Sequence, residues 1–256
     1  KALGLNVYDL DADGAQVTAG RHPKRGNAVL GADLAHPRLL IGSNNGNDLL
    51  YVKPAGDRRL TRRIVVALLQ QDYVSGLFVD RKLGTIDGAL SLDDINLAGS
   101  SVTPRPSIVV NFRSFDTGCG QPTRCGVVIG DSAQTQGQGG HGSLSRADTG
   151  NFMAATGPDF KKAFVDELPA SNVDLGRTLI GLLDPKFSDR GALTGRQLTE
   201  ILPGGAIPTV RRERRASRPA ANGLKTLLDL QWVGTTMYID AGGFAGRSLG
   251  LQTDPP

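Results

Sequence analysis

Apolar and polar positions along the chain alternate between two periods. The stretch "NVYDLDADGAQVTAG" (6–20) predicts strand, turn and strand, with Asp13-Gly14 at the reversal. In "PRLLIGSNNGNDLLYVKP" (37–54), strands at Leu39 to Gly42 and Leu49 to Val52 flank an Asn/Gly turn. "LTRRIVVALLQQ" (60–71) changes period: Leu60, Ile64 and Leu68 recur every four residues while Arg59, Arg62 and Arg63 fall elsewhere, which predicts an amphipathic helix. "SGLFVDRKLGTIDGALSL" (75–92) reads as a strand, a turn and more extended chain. "RPSIVVNF" (105–112) and "CGVVIGD" (125–131) are β-branched runs of strand length. "NVDLGRTLIGLLDP" (172–185) predicts a helix capped by Asn172, with Asp174 at its positive end, Pro185 beyond it, and Leu175, Leu179, Leu182 and Leu183 facing a sheet. "LKTLLDLQWVGTTMYID" (224–240) starts helical and ends β-rich. Strands alternating with helices predict one α/β domain over residues 1–256, with the faces of its sheet covered.

Composition narrows this picture. Glycine supplies 34 of 256 residues, nearly twice the usual ~7 %, so turns and loops are numerous. The formal charge is +4, and part of the excess lies in "VRRERRASRP" (210–219). That run carries no interleaved aromatics, which argues against nucleic-acid binding and for an exposed basic loop over residues 203–222. No run approaches the ~18 apolar residues of a membrane span. The chain opens at Lys1 with neither an initiator Met nor a signal pattern, the expectation for a cut end. Cys119 and Cys125 flank a Pro- and Gly-containing reversal; they read as a disulfide, which implies a periplasmic or secreted location, or as half a zinc site with no further Cys to complete it.

Three stretches suggest chemistry. Asp9, Asp11, Asp13 and Gly14 imitate the opening of a calcium loop, but the twelfth position, where a bidentate acid is required, is Gly20. "VVIGDSAQTQGQG" (127–139) resembles the nucleophile block of Gly-Asp-Ser lipases and esterases, in which Ser132 would attack and a distant histidine would take its proton. No histidine follows His141, so His22 or His36 would have to serve, against that family's chain order; covalent labelling by a fluorophosphonate tests it. His141 itself stands among Gly139, Gly140 and Gly142, which permit close backbone approach and let a ring nitrogen be aimed into a cleft; on composition alone, a lone histidine in such a loop is more often a turn residue than a ligand.

The longer segment "GHGSLSRADTGNFMAATGPDFKKAFVDELPASNVDLGRTLIGLL" (140–183) resembles the C-terminal part of type I phosphodiesterases and nucleotide pyrophosphatases, members of the alkaline-phosphatase superfamily. The resemblance rests on His141-Gly142, Met153-Ala154-Ala155, Gly157-Pro158-Asp159-Phe160-Lys161, Asn172-Val173-Asp174 and Thr178-Leu179, in order and in spacing, and extends over residues 30–185. It implies an α/β three-layer sandwich around a mixed, mainly parallel sheet. It also implies His141 as a ligand of one of two divalent metals, usually zinc, and metal-assisted hydrolysis of a phosphate ester or diester by a Thr or Ser hydroxyl.

By the same resemblance, the nucleophile and the first metal ligands lie upstream of anything in this chain. The later Asp-His-Gly of the family aligns with the Asn/Gly turn, where Asn44 and Asn45 stand instead. A neutral amide does not replace an imidazole on zinc at comparable strength. Asp48, Asp131 and Asp148 are the carboxylates nearest in sequence that a rearranged site could use, and Asn44, Asn45 and Asp48 are expected to border the cleft. The chain therefore reads as the latter half of a hydrolase whose N-terminal half is a partner polypeptide, as a Ser132 esterase, or as a divergent, non-catalytic binding domain.

Overall fold

The computed structural model describes residues 3–100, 102–121, 123, 125–130, 134, 137–184, 186 and 193–251. In chain order the strands are β1 (Asn6–Asp9), β2 (Ala15–Gln16), β3 (Ala28–Gly31), β4 (Pro37–Asn44), β5 (Asn47–Val52), β6 (Val74–Val79), β7 (Leu90–Ser91), β8 (Ile108–Phe112), β9 (Ser114–Asp116), β10 (Gly126–Val128), β11 (Val210–Ala216), β12 (Leu227–Val233) and β13 (Thr236–Gly243). The helices are α1 (Arg58–Leu69), α2 (Arg146–Thr149) and α3 (Asn172–Leu183).

Eight strands form one sheet in the order β2-β1-β3-β4-β5-β8-β6-β7. The sheet is mixed, but antiparallel rather than mainly parallel: only β6 and β7 run in the same direction. The reason lies in the connections. Parallel neighbours need a crossover of a dozen or more residues, whereas β4 and β5 are joined by the two residues Asn45 and Gly46.

Side chains alternate across this sheet, and both faces are buried at β6 and β8. Ile108 and Val110 of β8, with Leu77 of β6, join Leu60, Ile64, Val65 and Leu69 of α1 in one core. Val109 and Phe78, one residue out of step, join Leu228 and Leu230 of β12 in a second. A small antiparallel sheet, β11-β12-β13, thus covers the face opposite α1. The two sheets meet through backbone: the Phe244 amide donates to the Ser75 carbonyl, and a Cβ on Gly76 would stand 2.9 Å from Gly243 Cα. Only glycines allow that approach.

Three sequence expectations change. The basic run does not loop out: residues 210–216 form β11. Arg214 makes a bidentate pair with Asp229, its cross-strand partner, at 2.6 and 2.8 Å, and Arg211 lies over the ring of Trp232, 5.0 Å from its centre. The aromatic partner missing from the run itself comes from the neighbouring strand. The helical start expected at Leu224 is also extended chain leading into β12. A short leucine run carries no period of its own, and pairing on both edges decides its state.

α3 forms where expected, but Ser171 rather than Asn172 caps it, with Asp174 bonding back to the Ser171 amide at 2.8 Å. Its apolar set does not pack on the sheet. Leu175, Leu179 and Leu183 are 46, 42 and 85 % exposed, while Asp174 and Thr178 are buried. The inner face is a polar network instead. Asp174 accepts from the Arg196 amide and from the Tyr238 hydroxyl, each at 2.8 Å, and the Arg196 guanidinium holds the fully buried Glu200 at 2.5 Å. Such a network outcompetes leucine for the interior because each buried group has a partner.

Candidate functional site

The Asn/Gly turn and the histidine loop come together at one end of the large sheet. Asn44 and Asn47 face each other across the β4–β5 hairpin, and the Asn44 amide donates to Asn47 Oδ1 at 3.0 Å. Asn45 occupies the left-handed region at φ 57°, which asparagine tolerates better than most residues. Gly46 is buried beneath the loop. Its amide donates to the His141 carbonyl at 3.2 Å, and a Cβ at this position would run into the backbone of Ser143. The Asn47 side-chain amide donates to the Gly142 carbonyl. The turn therefore admits only glycine at 46, and the loop is seated on it by two hydrogen bonds that bridge about ninety-five residues of sequence.

A second set of bonds fixes the residues after His141. Leu144 N donates to Oδ1 of Asn111, a residue of β8 that is 1 % exposed and stands opposite Asn47 in register. Ser143 N donates to Asp148 Oδ2 at 2.7 Å, and the Ser143 and Ser145 hydroxyls lie 3.0 Å apart. Arg146 of α2 then clamps Asp240 of β13 at 2.6 Å. The loop is thus tied to the large sheet at its histidine and to the small sheet beyond it. His141 is exposed, and among the described residues its ring makes no hydrogen bond.

Of the residues singled out in the sequence, the structure brings His141, Asn44 and Asn45 together. Asp48 lies one strand position beyond Asn47, and alternation turns it to the opposite face with its cross-strand partner Val110. Asp148 is engaged in capping Ser143. Ser132 and Asp131 lie outside the described residues. The two other histidines are exposed, His22 bonding the Pro23 carbonyl and His36 paired with Asp33 at 2.9 Å, which lowers the Asp33 pKa chiefly through that side-chain bond. Cys119 and Cys125 are joined as a disulfide. Asn47 and Asn111, which hold the loop, escape sequence reasoning because neutral amides form no motif; the signals are an Asn-Asp pair ahead of Leu49 to Val52 and a single Asn within the apolar run Ile108 to Phe112.

The donor set at this end of the sheet is one imidazole and several amides. Among the described residues, the only group of three or more His, Cys, Asp or Glu side chains whose ligand atoms converge is Asp116, Cys119 and Cys125, at the tip of the β9–β10 hairpin; His141 belongs to no such group. One imidazole fits one ligand position of a metal site, and the chain's described residues do not complete a zinc pair around it. No family model, no curated protein and no solved structure matches this chain.

Proposed function

We propose that this chain supplies one wall of a divalent-metal site, with zinc as the metal, for hydrolysis of phosphate esters or diesters, the nucleophile and the remaining ligands coming from a partner segment outside the sequence. The observation that carries the reading is the seating of the 141–143 loop on the Asn44–Asn47 turn. The resemblance places those two stretches in one metal centre, and nothing in their spacing requires them to touch.

In this reading His141 offers a ring nitrogen to a cation, and the flanking glycines keep side chains out of the space beside it. Asn44 and Asn45 contribute neutral amides, suited to hydrogen-bonding phosphate oxygens rather than to binding zinc. Two further features support a partner and a compartment. Val173, Leu175, Leu179 and Leu183 leave an apolar stripe on α3 uncovered, a surface that a partner segment would bury. The disulfide suits a periplasmic or secreted protein, and no helix among the described residues is long and apolar enough to cross a membrane.

Intact mass and elemental analysis of material isolated from its native source test the reading together. A mass far above 26.9 kDa with about two zinc ions per molecule is the expected result. A metal-free protein of 26.9 kDa that still cleaves phosphate esters would overturn it.

A further inference from the structure

The β9–β10 hairpin tip, away from the His141 loop, gathers a different set of donors. The sequence offers two cysteines and no third to complete a metal site; strand pairing supplies a carboxylate instead. Asp116 ends β9 directly opposite Gly126, the neighbour of Cys125, and the ligand atoms of Asp116, Cys119 and Cys125 all lie within 4.8 Å of one another. Zinc–sulfur bonds of ~2.3 Å and zinc–oxygen bonds of ~2.1 Å set donor separations of roughly 3.4 to 3.8 Å around a tetrahedral ion. The two sulfurs are bonded to each other here, so reduction must let them separate by roughly 2 Å to reach that spacing, with the Asp116 carboxylate already within 4.8 Å of both.

The surrounding bonds hold the arrangement ready. Asp116 Oδ1 accepts from the Gly118 amide at 2.9 Å, which fixes the carboxylate over the turn and leaves Oδ2 for a cation. The Gln121 amide points at Cys119 Sγ from 3.3 Å, a donor suited to a sulfur that carries negative charge. The Thr117 hydroxyl donates to the Cys125 carbonyl at 2.7 Å and ties the two arms of the hairpin together beneath the sulfurs. Asp116 and Cys119 are exposed, so a cation reaches them without any opening of the core.

We propose that reduction of the Cys119–Cys125 disulfide turns this hairpin tip into a site for one thiophilic divalent cation of the zinc and cadmium class, held by Asp116, Cys119 and Cys125 with water in the fourth position. A dithiol reductant transfers two electrons and its two thiol protons to the cystine, breaking the sulfur–sulfur bond to give two thiols and itself becoming a disulfide. The cation then displaces one proton from each thiol as the two metal–sulfur bonds form. The oxidised hairpin has no thiolate to offer, so the site is gated by redox state. It is independent of His141.

Cobalt(II) reads the site directly. Protein reduced with a phosphine and exchanged into reductant-free anaerobic buffer should take up one equivalent, with sulfur-to-cobalt charge-transfer absorption that zinc abolishes; the oxidised protein should show none. Cys119→Ser should remove the absorption, and Asp116→Asn should weaken binding roughly tenfold, since a carboxylate ligand is replaced by a neutral amide. Both changes lie at an exposed hairpin tip, and circular dichroism checks that the fold is kept. Absence of the charge-transfer band in the reduced protein, one cobalt shared between two chains, or undiminished affinity in Asp116→Asn would each overturn the proposal.

Discussion

The two long helices have the same length, twelve residues each, and bury opposite kinds of face. α1 turns Leu60, Ile64, Val65 and Leu69 into the core and leaves Arg58, Arg59, Arg62 and Arg63 in solvent. α3 buries Asp174 and Thr178 and leaves Val173, Leu175, Leu179 and Leu183 outside. Periodicity announces a helix in both cases, but it does not say which side is covered. α1 is held by the hydrophobic effect within the chain. α3 is held by hydrogen bonds and an ion pair, and its leucines lie outside the core.

The contrast between the helices breaks most severely where α3's support is cut. Truncating Arg196 to Ala leaves Glu200 buried without its guanidinium and removes a bond to Tyr238, so it should cost about 3–5 kcal/mol in urea unfolding. Ile64→Ala opens a cavity beneath α1 and should cost about 2–5 kcal/mol by the same measurement. A smaller effect arises from pH. Burial alone would raise the Glu200 carboxyl, but its bonds from Arg196 reverse this and hold it below its ordinary value of 4.5. A depressed folded-state pKa gives stability that is present above the unfolded value and lost as pH falls through the folded one. Glu200→Gln should therefore flatten the stability profile below about pH 4.5, where the parent protein declines. A profile that declines as steeply in Glu200→Gln would place the acid-sensitive group elsewhere.

Burial and its hydrogen bond to Asp174 likewise raise the Tyr238 hydroxyl, which keeps it protonated as a donor throughout this range. The smallest effect is expected on α3's outer face. Leu179→Gln together with Leu183→Gln should change stability by no more than about 0.5 kcal/mol while reducing the binding of a hydrophobic dye. A large loss of stability there would mean the stripe is already packed.

Much of the architecture is legible in short stretches. Asn45-Gly46 between two apolar runs gives the β4–β5 hairpin, and Leu60, Ile64 and Leu68 give α1. Cys119 and Cys125 give the disulfide. The illegible part depends on distant partners. The arginines of β11 look like a solvated loop until Asp229, Asp94 and Trp232 are placed beside them. Leu227 to Leu230 suit helix or strand equally until two neighbours claim them. The antiparallel course of the sheet is set by which strands are neighbours, a property no local window contains.

The candidate site divides in the same way. His141 stands out because a lone imidazole among glycines is conspicuous, and the Asn44-Asn45 pair because charged ligands are expected there. Their seating through Gly46, Asn47 and Asn111 is carried by a missing Cβ and two amides, features that become meaningful only when the backbone of Ser143 is alongside. Asp48, close to the turn in sequence, is turned away by one step of strand alternation.

The proposed phosphate-ester hydrolysis depends on the loop seated on the Asn44–Asn47 turn presenting His141 to a metal. The decisive quantity is the zinc content of the complete, natively assembled protein, measured for the parent and for His141→Ala, with circular dichroism confirming equal folding. Bound zinc should fall clearly in the variant at unchanged fold; equal zinc in the two proteins would contradict the assignment of His141 as a ligand.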